Sequence, residues 1–394
     1  MAELRSVFAQ HLAQTSPFPI ALDITRAEGC HLYTRDGKRY LDLVAGLAVN
    51  NTGHRHPKVI AAIKEQLDHY LHVIPYGEFI QEAQVRYAER LTGLLPPGLD
   101  SVYFVNSGTE ANEAALKLAK RITGRTRLVA CHKSYHGSTH GSLSITGNEE
   151  KKYRNRPLLP DVHFITFNVP EDLRYIDEHC AAVVVETIQG DAGVRIPDVP
   201  WMQALRKRCS ETGAMLIFDE VQTGFGRTGS LFAFEQFGAV PDILVLGKAL
   251  GGGMPMGAFV SSGEWMALFT HHPVLGHITT FGGHPVNCAA GLAALEVLLE
   301  EGLVENARRM GMLFQELLVH PSILEVRGTG LMLAVDLGAA DKVQRVVQGC
   351  LERGVLGFWF LSCPTAFRIA PPLCISEEQV RVACTAIKQE LDRL

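Results

Sequence analysis

Through the middle of the chain, short runs of β-branched and other apolar residues alternate with longer segments whose apolar positions recur every three or four residues. The runs are Ser101–Asn106, Leu128–Cys131, Val162–Thr166, Ala181–Val185, Ala214–Phe218, Ile243–Leu246 and Ala258–Ser261. Strands that are apolar throughout, rather than alternating, belong in a sheet covered on both faces. The pattern predicts an α/β fold around a mostly parallel, seven-stranded sheet, with the helical segments as its covers. Upstream, residues 27–43 read as short extended segments around the Asp36-Gly37 turn, and Pro57–Leu71 carries a helical stripe of Val59, Ile60, Ile63 and Leu67. Downstream, Val286–Leu299 predicts a long apolar helix leading out of the sheet region. Strands at Leu331–Asp336 and Phe367–Ile369 then mix with helices, the last opening on Ser376-Glu377-Glu378-Gln379, a capping-box signature. We expect an N-terminal segment over residues 1–74, a large domain over 75–295 and a small α+β domain over 296–394, with no low-complexity linker between them.

Composition narrows the class of function. An apolar fraction of 47% over 394 residues is ample for a buried core. The formal charge of −5, from 37 basic and 42 acidic residues spread without long runs, leaves no electrostatic footprint for nucleic acid or an anionic membrane and turns attention to small molecules. Nine scattered cysteines without a Cys-x-x-Cys pair argue against a disulfide framework or structural zinc, and for a reducing cytoplasm. Met1–Gln14 lacks the apolar core of a signal peptide, and no stretch approaches the ~20 apolar residues of a membrane span.

In open parallel sheets, ligands bind beyond the carboxyl ends of the strands. The run Ser101–Asn106 leads into Ser107-Gly108-Thr109 ahead of the helical pattern Ala114–Arg121. Free backbone N–H groups and a helix dipole there suit a phosphate; taken alone, the run is also an ordinary N-cap. The run Ala214–Phe218 ends in Asp219-Glu220, and Ile243–Leu246 ends in Gly247-Lys248, followed by Gly251-Gly252-Gly253. A carboxylate and an amine at two strand ends can converge on one crevice, where desolvation lowers a lysine from its ordinary pKa of ~10.4 and makes it a nucleophile. Read singly, Lys248 is a surface lysine on a glycine-rich loop. Tyr135-His136-Gly137 offers an aromatic face for ring stacking, and Glu186 and Gln189 place polar groups at a fourth strand end. Arg368, inside an apolar strand, wants a carboxylate, either a substrate's or an internal partner's.

Together these pieces, with Asp219–Gly224, Gly247–Gly253 and Thr279-Thr280-Phe281-Gly282-Gly283 in order along the chain, resemble the class III (ornithine, acetylornithine and GABA type) aminotransferases, pyridoxal-phosphate enzymes of fold type I. The resemblance runs from about Gly29 to Pro372. It implies a small domain drawn from both termini and pyridoxal phosphate as cofactor, carried covalently by Lys248, which then moves the proton between substrate carbon and cofactor. By the same resemblance Asp219 faces the pyridine nitrogen, Gln222 the ring oxygen, Tyr135 and His136 the ring, and Ser107, Gly108 and Thr109 the phosphate. Glu186 belongs to the same cofactor site, and Thr280 reaches it from the partner subunit of a homodimer. Arg368 grips a substrate α-carboxylate, gated by an acid at Asp191. The substrates implied are an amino donor and a 2-oxo acid, 2-oxoglutarate or pyruvate.

Three positions depart from the family. Asp191 stands where a glutamate is usual, Ser138 where an arginine holds the donor's carboxylate, and His284 where an asparagine precedes Pro285. Competing readings are weaker. Residues 224–229 satisfy G-x-G-x-x-G, but the motif does not sit at the strand-to-helix turn and no ribose-binding acid follows, against a dinucleotide site. Lys248 lacks the spacing of a Walker lysine. His132, His136 and His140 would share a helical face beside Cys131, but Gly137 and Gly141 speak against a helix there, and no metal is expected. A decayed scaffold would have lost Lys248. A pyridoxal-phosphate decarboxylase and an aminomutase share the cofactor site and stay open beside the aminotransferase.

Overall fold

The computed structural model describes residues 2–394. Its central sheet comprises β4 (Ser101–Val105), β5 (Arg127–Cys131), β6 (Val162–Ile165), β7 (Cys180–Glu186), β8 (Met215–Asp219), β9 (Ile243–Leu246) and β10 (Gly257–Ser261), in the order β4-β10-β9-β8-β7-β5-β6. Only β10 runs antiparallel to its neighbours. Every residue of β7, β8, β9 and β10 is buried, which is why these strands read as unbroken apolar runs, whereas edge strands β4 and β6 keep partly exposed positions. The helix Gly108–Thr123 packs Ala111, Ala114, Ala115, Leu118 and Ala119 onto one face. Small side chains at these positions let it lie close to the strands.

Two smaller sheets flank this core. The N-terminal β1 (Ile24–Glu28), β2 (His31–Thr34) and β3 (Arg39–Asp42) form an antiparallel meander. Further on lie β11 (Glu325–Thr329), β12 (Met332–Asp336), β13 (Val355–Leu356), β14 (Phe358–Trp359) and β15 (Ala366–Ile369). Of these, β13 leaves its neighbours in sequence and pairs in parallel with β3, whereas β11, β12, β15 and β14 form a separate antiparallel sheet. Arg227, fully buried, ties the parts together: its guanidinium donates to the carbonyls of Leu331 at 2.9 Å and Pro371 at 2.6 Å and to Asn51 Oδ1 at 2.6 Å. The G-x-G-x-x-G run therefore serves as a turn that aims an arginine into the molecule.

The loop after β3 is strained. Ala45, Gly46, Leu47 and Ala48 all hold positive φ, between 51° and 64°, at a cost of about 1–2 kcal/mol for each residue with a side chain. Asp42 over-determines the turn: its Oδ1 accepts from Val44 N at 2.8 Å and Ala45 N at 3.0 Å, while Oδ2 lies 2.8 Å from His54 Nε2. The turn delivers Val49 to the wall of the cavity at the carboxyl ends of the central strands. The long apolar helix, Pro285–Glu300, packs against Pro57–His69 and Glu82–Thr92. The C-terminal helix, Glu377–Leu391, opens with the expected Ser376/Gln379 capping box. All nine cysteines are free thiols, and no helix among the described residues is long and apolar enough to cross a membrane.

Candidate active site

The carboxyl ends of three adjacent strands set the floor of the site. Glu186 and Asp219 are register partners at the ends of β7 and β8, and Asp219 pairs onward with Val245 of β9, just before Lys248. They open on a cavity of about 530 Å³, within the range of small-molecule sites, roughly 300–1,000 Å³. Ser107, Gly108, Thr109, Tyr135, His136, Glu186, Asp191, Asp219, Gln222 and Lys248 all line it. Two further candidates lie outside it, one of them expected to act from a partner subunit. Thr280 is exposed on a surface loop of the same chain, and Arg368 stands behind Asp191, its Nη2 3.4 Å from Asp191 Oδ1.

Lys248 holds a left-handed backbone, φ +47°, another position where strain collects at a cavity. Burial holds its pKa below the ordinary lysine value, and the charges of Asp219 and Glu186 only partly oppose that. Burial thus favours the neutral, nucleophilic form of the amine. Asp219 is fixed by three donors: Asn112 Nδ2 at 2.9 Å and His136 Nδ1 at 2.8 Å on Oδ2, and Val221 N at 3.1 Å on Oδ1. Asn112 Nδ2 also donates to the His136 carbonyl at 2.9 Å. Burial pushes the Glu186 carboxyl up to about 7, although Tyr135 N and Gly190 N each donate to it at 2.9 Å; its bonds shape the loops around Tyr135 and Gly190.

Glu220, adjacent to Asp219, points the other way because successive residues of a strand alternate faces. Its oxygens accept from Ala233 N and Phe234 N, both at 2.7 Å, and from Thr187 Oγ1 at 3.0 Å. Every partner is a donor, so an amide of the same size fits badly. Glu220→Gln is expected to cost about 1–3 kcal/mol, seen as a lower Tm with the cofactor spectrum unchanged; an unchanged Tm would show that the loop at 233–234 does not depend on this acceptor.

At the start of the helix Gly108–Thr123, Ser107 Oγ accepts from Glu110 N at 3.3 Å. The amides of Gly108 and Thr109, which have no acceptor inside the helix, are left at the cavity wall. A Cβ on Gly108 would meet Val221 at 2.7 Å, and one on Gly137 would strike Thr109, so neither position admits a side chain and the turns around the cradle pack closely. His136 Nε2 is buried without a partner. An anion cradle at one side, a fixed carboxylate at the base, a desolvated amine and the Tyr135 ring at the rim suit a flat aromatic cofactor bearing a phosphate, and the residues present fit pyridoxal phosphate.

Sequence reasoning missed Asn112, which orients Asp219, and Lys151, whose Nζ lies 3.1 Å from Asp191 Oδ2 and 4.6 Å from the centre of the Tyr135 ring. Asn112 lies within the motif that carried the resemblance, whereas a lysine beside another lysine gives no signal. Ser138 lines the cavity, its Oγ 3.3 Å from the Tyr135 hydroxyl. Tyr76 lies apart, in a cleft of about 240 Å³ with Gln84 and Gly283. His284 caps the helix Pro285–Glu300 and stacks on His72, ring centres 5.6 Å apart. His132, His136 and His140 share no helical face, since the short helix His140–Ile145 only begins at the third.

Comparison with known proteins agrees with this geometry. The family model for class-III aminotransferases matches residues 13–391. The chain is 41% identical over 382 residues to the acetylornithine aminotransferase of Methanosarcina acetivorans, covering 93% of this chain and 91% of that protein. It is 42% identical over 358 residues to the acetylornithine aminotransferase of Archaeoglobus fulgidus, covering 91% and 92%. The ornithine aminotransferase of Toxoplasma gondii superposes with a TM-score of 0.93 at 29% identity, covering all of this chain and 94% of that one. The chain belongs to the class-III aminotransferases, enzymes that move amino groups with pyridoxal phosphate.

Proposed function

We propose that the enzyme transfers the terminal amino group of an aliphatic donor, the class that includes acetylornithine, ornithine and GABA, to 2-oxoglutarate. The observation that carries the acceptor is Arg368, a buried cation on β15 whose Nε has no partner and whose hydrogen bond to Asp191 is long at 3.4 Å. A buried guanidinium with unused donors suits a planar carboxylate. Ser138 and the Tyr135 hydroxyl offer the far end of the donor hydrogen bonds rather than charge.

Pyridoxal phosphate, when bound, supplies an electron sink for the charge left on a substrate carbon that loses its proton. Lys248 carries the cofactor and moves that proton. Asp219, held by Asn112, His136 and Val221, keeps a negative charge where the ring nitrogen must stay protonated. Ser107, Gly108 and Thr109 hold the phosphate, Gln222 the ring oxygen, and Tyr135 covers the ring and excludes water; Glu186 holds the Tyr135 backbone in place. Thr280, exposed on its own chain, completes the phosphate site of a second copy in a homodimer. We also assign residues 75–295 as the cofactor-binding domain, residues 1–74 and 296–394 as the smaller one, and the cytoplasm as the compartment.

A panel of acetylornithine, ornithine, 4-aminobutyrate and simple terminal amines, each with 2-oxoglutarate or pyruvate, tests this reading. At least one donor is expected to give kcat/KM at least about tenfold higher with 2-oxoglutarate than with pyruvate, the scale of one charge-assisted hydrogen bond. Equal rates with pyruvate would show that the enzyme does not read the second carboxylate of 2-oxoglutarate and would overturn its choice as acceptor; the carboxylate assigned to Arg368 is common to both oxo acids.

A further inference from the structure

Asp191 sits between two cations and is not shared evenly. Its Oδ2 accepts from Ser362 Oγ at 2.6 Å and Lys151 Nζ at 3.1 Å; its Oδ1 accepts from Leu361 N at 3.2 Å and from Arg368 Nη2 only at 3.4 Å. Two donors on Oδ2 and one on Oδ1 hold the acid, and the arginine has the longest of the four contacts. Asn148 Nδ2 donates to Ser362 Oγ at 3.0 Å and caps the short turn Glu149–Lys151, so one residue braces both Ser362 and the turn that carries Lys151. Arg368 meanwhile faces the Phe360 ring at 4.5 Å.

We propose that Lys151 is a positioning residue that competes with Arg368 for Asp191, weakening that pair so that the guanidinium is more readily given up to the carboxylate of the oxo acid. The inference rests on the reading of Arg368 as the carboxylate site. An acid drawn toward Arg368 competes with substrate, and an acid anchored elsewhere does not; a lysine that favours the second arrangement tightens acceptor binding without touching the acceptor. Lys151 also lies over the Tyr135 ring at the cavity rim, so the same ammonium links the gate to the residue that covers the cofactor.

The test measures the holoenzyme's Kd for glutarate, a dicarboxylate that cannot react, by calorimetry, together with KM and kcat for 2-oxoglutarate. Lys151→Met is expected to raise both the glutarate Kd and the 2-oxoglutarate KM about tenfold, the scale of one charge-assisted hydrogen bond, with kcat changed less than about twofold. Lys151→Arg is expected to restore both. In an Asp191→Asn background, Lys151→Met is expected to change nothing further, because the lysine acts through the acid. An equal loss in both backgrounds would mean that Lys151 binds the ligand itself and would overturn the proposal, as would a fall in kcat that Lys151→Arg does not repair. Arg368→Ala separates the two readings. If it weakens glutarate binding while Lys151→Met does not, the Lys151 inference fails and the arginine site stands. If neither variant does, the arginine reading fails first.

Discussion

Lys248→Ala is expected to lower kcat by roughly four orders of magnitude, the upper range for loss of a positioned proton-transfer group, while the protein still takes up pyridoxal phosphate. The two halves of this expectation have separate structural causes. The phosphate cradle at Gly108 and Thr109 and the carboxylate of Asp219 do not involve the lysine, so the cofactor keeps its anchors. Proton transfer does need the amine, and among the described residues Lys248 is the one lysine that lines the cavity. Absorbance of the dialysed variant reports retention, and a stopped-flow assay reports turnover. A small primary amine such as methylamine, added to the variant, is expected to restore part of the rate by entering the space the side chain leaves. A variant with substantial residual turnover would show that another group carries the proton.

The second large effect falls on the acceptor. Arg368→Ala is expected to raise KM for 2-oxoglutarate by an amount corresponding to about 2–5 kcal/mol, between roughly 30-fold and several thousand-fold, with cofactor affinity little changed. Arg368 lies behind Asp191 rather than in the cofactor cradle, so its loss leaves the anchors of the ring intact. It also leaves Asp191 with its other donors, Ser362, Lys151 and Leu361, so the acid is not stranded. KM from initial rates and cofactor Kd from absorbance titration check the two parts. A KM that does not move would mean that Arg368 serves only as a partner for Asp191.

The parts of this site legible in the sequence were those carried by local rules. A buried strand ending in a polar residue announces its carboxyl end, which made Asp219 and Lys248 candidates; their roles came only from the motifs taken together. Which of Asp219 and Glu220 faces the cavity is settled in the structure, where Glu220 turns to Thr187, Ala233 and Phe234. The helix at the phosphate cradle begins at Gly108, earlier than its apolar pattern at Ala114 shows, because Ser107 is the cap and the first turn carries Gly108, Thr109 and Glu110 ahead of its one apolar residue, Ala111. Other features depend on distant partners. Lys151 gains its meaning only when the turn Glu149–Lys151 meets Asp191, and β13 and β14 are two residues each, too short for a pattern. The left-handed turn at Ala45–Ala48 contradicts local preference outright, since alanine and leucine give no hint of positive φ. Asp42 and His54 hold it, and neither is a turn residue of that segment.

The pairing of β3 with β13 bears on the order in which the chain can mature during synthesis. Residues 39–42 leave the ribosome long before their parallel partner, Val355–Leu356, is made. The bonds from Ala370 N to Leu43 O and from Leu373 N to Asn51 O arrive later still. Until then the N-terminal meander has an open edge, and contacts of such long sequence separation form slowly. The strands flanking Lys248 close among themselves well before that point. A nascent chain stalled short of residue 355 is therefore expected to hold a protease-resistant core beginning beyond residue 75, with its first residues still open to cleavage.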